Sequence, residues 1–181
     1  MISIRIEEWD LQIADGSLPS HFTSCLKNAE FVDQIDINND EGRFLFLGIS
    51  SGATNNGWPS VVVAQKYQDG RQTFSPGFLL VPDTSLLFLG AGERLLCYDL
   101  DKKVRLWEDE TDCGFWGWSQ SGSYILMSAE LEFGVWDKSG KKLWSTFVEP
   151  PWSFAIKEQT VELDVMGTTQ KFQLSDGVKL D

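Results

Sequence analysis

The sequence is poor in the residues that usually carry chemistry, with one histidine, His21, and three cysteines, Cys25, Cys97 and Cys113. Neither a nucleophile motif nor an orienting carboxylate accompanies His21, so Ser-His-Asp chemistry is not expected. His21 and Cys25 would share a helical face, but a zinc site takes three or four ligands. An odd number of widely spaced cysteines argues against a disulfide framework and fits a reducing cytoplasm. We therefore expect a cytoplasmic protein that is not an enzyme and uses no metal or cofactor.

Basic residues are also scarce. The 15 lysines and arginines stand against 27 aspartates and glutamates, which gives a formal net charge of −12. Such a field repels phosphate backbones and anionic lipids, so neither nucleic acid nor a membrane surface is an expected partner. No apolar run approaches the roughly 20 residues that span a bilayer. The charge suits a basic protein partner, and it is equally explained by solubility.

Aromatic residues and glycines are plentiful: 13% of residues are aromatic, 8 are tryptophan and 16 are glycine. They lie among many short apolar runs, a composition that favours strands joined by turns. The alternating start predicts an N-terminal strand over residues 1–13 and lacks the features of a signal peptide. Helical spacing of Phe22, Cys25, Leu26 and Ala29 predicts one short helix over residues 18–30. The length fits a single domain, residues 1–181.

An internal repeat organises the remaining sequence. Residues 87–99 align without a gap on residues 125–137, and each copy ends in an aromatic residue followed by Asp. Each then continues through a turn and a Lys-Lys pair into a strand that contains a tryptophan. Two further segments share the same start. The sequence therefore predicts four repeat units, at about 40–76, 77–112, 113–150 and 151–177. The last unit lacks a final strand, which the N-terminal strand is available to supply.

Two stretches of the repeat are similar to known β-propeller families. Residues 136–144 resemble the Asp-x-x-x-Gly-Lys-x-x-Trp repeat of quinoprotein-like propellers, and residues 118–126 resemble the start of a WD40-type blade. The resemblance implies an all-β, β-propeller-like repeat of four short antiparallel blades with one short N-terminal helix. Propellers of these families usually have about six to eight blades. Four units thus imply either a small ring or a half-propeller that pairs with a second copy as a homodimer. No cofactor or metal residues come with the resemblance, because no position matches them.

Acidic residues form the first candidate binding site. They follow the strand that ends at Trp107 and are Glu108, Asp109, Glu110 and Asp112. Such a run is either a solvated loop or a patch that steers a basic partner toward the protein. A second acidic stretch, residues 36–47, begins like a calcium loop. It has leucine at the twelfth position where such loops place a glutamate, so we interpret it as a polar turn.

Tryptophans form the second candidate site. Trp58 borders a loop at residues 50–58 whose turn-forming residues predict flexibility. Trp116 and Trp118 flank Gly117, so strand alternation puts both side chains on one face of the sheet. We expect the other tryptophans of the repeats to pack between blades, and these three to be the exposed binding aromatics.

The leading functional hypothesis is a non-enzymatic module for protein–protein interaction. Its loops at residues 50–58 and 108–118 would contact the partner. A more specific form is a small acidic inhibitor or immunity-type protein of a bacterium that neutralises a basic toxin. One alternative is a carbohydrate-binding propeller that stacks sugars on Trp58, Trp116 or Trp118. A hydrolase that uses acidic side chains ranks last, because spacing alone neither supports nor excludes a carboxylate pair.

Overall fold

The computed structural model describes residues 1–52, 57–70 and 73–180. In this part of the chain nearly all regular structure is β-strand, which confirms the predicted all-β class. A single α-helix is found there, α1 (Phe22–Asn28), together with a 3₁₀ turn at Pro82–Thr84. The strands are β1 (Ile2–Ile6), β2 (Trp9–Gly16), β3 (Phe31–Ile35), β4 (Arg43–Ser51), β5 (Val61–Tyr67), β6 (Gly77–Val81), β7 (Leu86–Ala91), β8 (Arg94–Asp99), β9 (Val104–Glu110), β10 (Phe115–Ser121), β11 (Tyr124–Ala129), β12 (Glu132–Asp137), β13 (Lys142–Phe147), β14 (Trp152–Lys157), β15 (Thr160–Val165), β16 (Thr168–Gln173) and β17 (Lys179–Leu180).

Three of the four sheets are built from consecutive strands. The second sheet is β6-β7-β8-β9, the third is β10-β11-β12-β13 and the fourth is β14-β15-β16-β17. Every neighbouring pair in them is antiparallel. A four-stranded sheet in chain order is the form of a propeller blade. The two gapless sequence copies are the hairpins β7–β8 and β11–β12.

The first sheet is not a blade of this form. Its strand order is β1-β2-β4-β5-β3, and β3 runs parallel to β5, with Phe31 opposite Val61. The predicted first unit, residues 40–76, supplies only β4 and β5. The predicted single strand over residues 1–13 is wrong, because the chain reverses at Glu7, which has a φ of 51°, and forms the hairpin β1–β2. Four equivalent antiparallel blades are therefore not what this sequence forms.

The fourth sheet takes its last strand from its own end of the chain. β17 pairs with β16 through Lys179 opposite Phe172 and Leu180 opposite Lys171. The expected unit at 151–177 thus ends before β17 and leaves that strand out. The N-terminal strand, which was available to complete this sheet, pairs instead with β2. The two ends of the chain are consequently not joined in one sheet.

Helix α1 is shorter than the predicted range of 18–30. Its last turn closes with the Ala29 N–H donating to the Cys25 carbonyl oxygen at 2.9 Å. The next amide, that of Glu30, donates to the carbonyl oxygen of Ser60, which draws the chain into β3. The apolar side of the helix packs on the outer face of the first sheet, against Phe46 and Val62. The helix therefore covers that face.

The four sheets pack face to face in an open row. Three clusters of buried residues join the first sheet to the second, the second to the third and the third to the fourth. Among the described residues, none of the buried clusters joins the fourth sheet back to the first. The molecule therefore has propeller-like sheets without the closure of a ring.

Tryptophans on the outer strands tie each repeat sheet to the next one. The indole N–H of Trp107 on β9 donates to the Gly140 carbonyl oxygen in the third sheet at 2.6 Å. Trp144 on β13 repeats this contact with the Leu174 carbonyl oxygen in the fourth sheet at 2.9 Å. A glycine of the receiving turn lets the indole approach, since a Cβ at Gly177 would lie 2.7 Å from the Trp144 ring. The tryptophan of one repeat unit thus packs against the glycine-containing turn of the next unit.

The outer faces of the first and fourth sheets, at the two ends of the row, are not open apolar surfaces. Helix α1 lies on the first sheet, as described above. The outward face of the fourth sheet carries Glu162, which pairs with Lys157 at 2.7 Å and Lys171 at 2.9 Å. A polar outer face on the terminal unit is how stacked repeats end in water.

We expect Gly177→Ala to destabilise the protein more than Gly167→Ala. Both glycines have positive φ, +70° and +83°, so both substitutions strain the backbone. Only Gly177 has the Trp144 ring where the new methyl group would sit, whereas Gly167 has nothing within 4 Å. Overpacking should add about 1–3 kcal/mol to the loss at Gly177. Urea unfolding of both variants measures the difference, and equal losses would contradict the proposed role of the glycine.

We also expect a monomer in solution. Pairing two half-propellers through the fourth sheets would bury Glu162 and its two lysines, and burial of charges is costly. Light scattering should give the mass of one chain, 20.4 kDa. A dimer whose mass does not change with concentration would contradict this prediction.

Candidate functional site

The links between successive sheets all lie along one edge of the stacked sheets. Here the Phe115 N–H donates to the Gly92 carbonyl oxygen at 2.7 Å, and Val148 to Leu131 at 3.0 Å. These contacts place the links beside the β7–β8 and β11–β12 turns. We call this edge, which comprises the β5–β6, β9–β10 and β13–β14 links and the adjacent turns, the connecting end. Loops held on a rigid scaffold of this kind are a common location for binding residues.

Trp116 and Trp118 point to opposite faces of the third sheet. The pairing of β10 with β11 skips from Phe115 to Gly117, so Trp116 is the extra residue of a β-bulge. A bulge re-aims one side chain and breaks the period of two. The expectation that both tryptophans share a face is therefore wrong. Trp118 packs between the second and third sheets, 5.3 Å from Phe88 in ring centroids.

Trp116 forms an exposed stack with Trp152 of the fourth sheet. Their ring centroids are 5.4 Å apart and their planes are 16° from parallel. Trp116 remains 44% exposed in spite of this contact. We call these two residues the indole pair. Trp152 was predicted to pack between blades, and the bulge at Trp116, which the sequence pattern does not reveal, is what brings the two rings together.

Glu130 and Met166 flank the indole pair. The Trp152 indole N–H donates to the Glu130 carbonyl oxygen at 3.1 Å. The Glu130 carboxylate accepts the thiol hydrogen of Cys113 at a sulfur–oxygen distance of 3.4 Å. Met166 is 64% exposed, and its amide donates to the Pro151 carbonyl oxygen at 3.0 Å beside Trp152. Sequence reasoning did not identify Glu130 or Met166, since both lie in turns outside the acidic run and the aromatic set.

The acidic run is a strand and is partly neutralised. Glu108, Asp109 and Glu110 belong to β9, which continues past Trp107, so the predicted loop begins later. Glu108 pairs with Arg94 at 2.8 Å and with Arg105 at 3.1 Å. Asp109 pairs with Lys142 of the third sheet at 2.9 Å. Two of the four candidate acids therefore form ion pairs within the protein.

The other acids of the run stay exposed, and further carboxylates surround them at the connecting end. Glu110 and Asp112 are both exposed. Within residues 1–52, 57–70 and 73–180, the ion pairs include none of five acids at this end: Glu93, Glu110, Asp112, Glu130 and Glu149. Unpaired carboxylates make this end electronegative.

A polar cleft of about 290 Å³ opens between the first and second sheets at the connecting end. Tyr67, Phe74 and Glu110 contribute to its lining. Arg94 also lines it, and pairs there with Asp36 at 2.6 Å. Asp36 is the first residue of the stretch that resembled a calcium loop, so its carboxylate already has a cation from the protein itself.

Trp58 lies far from these residues, at the opposite end of the sheets. It lies in the β4–β5 link and is half-buried in the cluster beneath α1. Its ring centroid is 6.3 Å from that of His21. The structure therefore places both residues in packing and does not bring Trp58 to the indole pair. Residues 53–56 of the predicted 50–58 loop lie outside the described residues.

Cys113 is the most accessible of three free thiols, since Cys25 and Cys97 are fully buried. Burial raises the pKa of Cys97 to about 12, with a further contribution from Asp99. At Cys113, a hydrogen bond from Gly114 lowers the pKa. Partial burial and the Glu130 carboxylate outweigh it, so the pKa of Cys113 is raised. The thiol is therefore protonated and weakly nucleophilic at neutral pH.

We expect Glu130→Gln to accelerate alkylation of Cys113 at pH 7.5. The neutral amide removes the negative charge that opposes the thiolate, so the pKa of Cys113 falls and more thiolate is present. We expect the thiolate fraction, and with it the labelling rate, to rise about threefold to tenfold. Iodoacetamide labelling followed by mass spectrometry measures the rate. Glu158→Gln, an equal charge change at the opposite end, is the control, and equal rates in both variants would contradict the contact.

Within the described residues, no helix has the length and apolarity needed to cross a membrane. The same residues contain no group of three or more His, Cys, Asp and Glu side chains arranged to hold a metal ion.

Comparison with known proteins gives a fold likeness without a family. No protein-family model and no curated protein matches the chain. Among solved structures, BamB from Moraxella catarrhalis is 13% identical, with a TM-score of 0.46 over 100% of this chain and 50% of BamB. Hydrazine synthase from Kuenenia stuttgartiensis is 14% identical, with a TM-score of 0.47 over 85% of this chain and 48% of that one. The computationally designed Ika4 protein is 14% identical, with a TM-score of 0.46 over 60% and 72% of the two chains.

The chain spans about half the length of the BamB and hydrazine synthase chains that it matches. β-Propeller proteins are among the structures that it resembles. The form of the three consecutive-strand sheets agrees with the predicted propeller-like fold, and the open row of sheets is the point at which the expected small ring differs from the structure.

Proposed function

We propose that this protein is a non-enzymatic binding module that contacts another protein through its connecting end. The observation that supports the proposal is the indole pair. Trp116 leaves the sheet through a bulge, stacks on a second indole and still stays 44% exposed. Tryptophan is among the residues that contribute most to binding energy at protein interfaces.

The charge of the connecting end indicates what kind of protein would bind there. The indole pair is the apolar centre, and the unpaired carboxylates of Glu110, Asp112, Glu130 and Glu149 form a polar rim. An apolar centre with a polar rim is the usual anatomy of an interface. Negative rim charges accelerate association with a positively charged partner and select against acidic ones. A basic partner therefore fits this surface.

A more specific form of the proposal is an inhibitor or immunity-type role. A small acidic protein can cover the basic surface with which an enzyme or toxin holds its own anionic substrate. The net charge of −12 and the concentration of free carboxylates at one end support this form. The structure of the site names no particular target.

Carbohydrate binding is a second proposal for the same indole. Sugar rings stack on exposed tryptophan faces, and carboxylates accept hydrogen bonds from sugar hydroxyls. The two proposals differ in charge dependence. Binding of a basic protein weakens as salt screens the carboxylates, whereas stacking of a neutral sugar does not.

Affinity capture with matched variants tests the protein-binding proposal. The bait proteins are the wild type, Trp116→Ala, the double variant of Glu110→Lys with Asp112→Lys, and Glu158→Gln as a control at the opposite end. We expect basic proteins to be retained by the wild type and the control, and to be lost from the two connecting-end variants. Captured proteins are then purified and the binding is measured again with the components alone. An identical set of captured proteins for all four baits would reject the connecting end as the binding surface.

A further inference from the structure

We propose that the indole pair and Glu130 form a seat for an arginine side chain of the partner protein. This inference rests on the proposed function and specifies the chemistry by which the same surface would recognise its partner. Three properties of the site support it: an exposed indole, the Glu130 carboxylate on a backbone that is hydrogen-bonded to the indole pair, and the absence of an ion pair to that carboxylate among the described residues.

The exposed indole of Trp116 suits a planar cation. One face of its ring stacks on Trp152, with the two planes 16° from parallel, and 44% of the residue remains exposed for contact with a partner. A guanidinium group stacks on an exposed indole through cation–π attraction and flat contact. Tryptophan is the strongest of the aromatic side chains in this interaction. A lysine ammonium is a compact, strongly hydrated charge and makes less of the flat contact.

Glu130 supplies the matching charge. Its backbone is fixed to the indole pair by the hydrogen bond from Trp152, so its position relative to the rings is set. Its carboxylate accepts one weak donor, the Cys113 thiol, through Oε2. A carboxylate has about four lone-pair sites, which leaves acceptor capacity for the donors of a guanidinium. Arginine bound in this way would stack on the ring and pair with the carboxylate at the same time.

The arginines of the described residues favour a different protein as the partner over a second copy of this chain. Every arginine in the described residues already pairs with a carboxylate: Arg5 with Asp10, Arg43 with Asp15, Arg94 with Asp36, and Arg105 with Asp33. In the described residues of a second copy, each guanidinium group is therefore already in an ion pair. The surrounding free carboxylates favour a segment with several basic residues, from which one arginine would occupy the seat.

Three acetylated hexapeptides of alternating glycine and a test residue provide the probe. The test residue is arginine, lysine or citrulline, the last being a neutral isostere of arginine. Each peptide is titrated into the full chain, and the indole N–H signals are followed by nitrogen-15 correlated NMR. The signals of Trp116 and Trp152 are assigned from the spectra of Trp116→Phe and Trp152→Phe. We expect the arginine peptide to shift both signals, to bind about threefold tighter than the lysine peptide, and about tenfold tighter than the citrulline peptide.

Variants separate stacking from general attraction to the acidic end. Trp116→Leu keeps an apolar side chain without a ring and should weaken arginine-peptide binding about fivefold to tenfold, while Trp116→Phe should weaken it less. Glu130→Gln should weaken it about threefold to tenfold, whereas Glu158→Gln, with the same change in net charge, should leave it unchanged. The dispersed spectrum of each variant shows that it is folded. Trp116→Phe keeps the comparison meaningful if the leucine variant does not fold.

The arginine seat is wrong if citrulline binds as well as arginine, or if Trp116→Leu and Glu130→Gln both bind like the wild type. Either result, combined with loss of captured proteins from the connecting-end variants, would leave the proposed function standing without the arginine seat. If the capture experiment itself shows no dependence on the connecting end, the proposed function fails. The two failures are therefore distinguishable.

Discussion

This structure depends on the packing of each sheet against the next one. At the edge of each interface, a side chain from one sheet also bonds to the neighbouring sheet. Between the second, third and fourth sheets that side chain is a tryptophan, Trp107 or Trp144, which donates its indole hydrogen to a backbone carbonyl oxygen of the neighbouring turn. Between the first and second sheets it is a carboxylate. Asp33 accepts from the Tyr98 hydroxyl at 2.9 Å and pairs with Arg105 at 3.3 Å. The side-chain contacts between sheets thus differ along the row. The irregular first sheet contacts the second through a carboxylate, whereas the repeat sheets contact one another through tryptophans.

The sequence predicted the parts of the fold that local pattern determines. The aromatic residue before Asp99 and Asp137 marks the end of an inner hairpin, and the aspartate binds the backbone of the following turn. Such signals recur because each repeat makes the same contacts. The first sheet was predicted incorrectly for the opposite reason, since pairing of β3 with β5 brings together segments separated by β4 and its link. Parallel pairing of this kind leaves no short-range signature.

The candidate site was only partly predictable, for two physical reasons. A bulge adds one residue to a strand without changing its composition, so the change of face at Trp116 cannot be read from alternation. The availability of an acid depends on cations from elsewhere in the chain. Glu108 and Asp109 are occupied by Arg94 and Lys142, whereas Glu110 is not. Residue type and spacing predicted where charge is dense, and only the fold shows which charges are free.

The open row of sheets leaves the connecting end as the surface on which our proposal places the binding site. Stacking uses the inner sheet faces, and the two outer faces are covered by α1 and by a charged surface. Most large aromatic side chains of the repeats pack in these contacts, and Trp136 in the centre of the stack is 1% exposed, whereas Phe147 is 64% exposed. Trp116 also contrasts with Trp136, because its bulge interrupts the ladder and its ring is left at the surface. A bulge that leaves a tryptophan at the surface is a local departure from regular pairing, and such departures are over-represented beside functional sites.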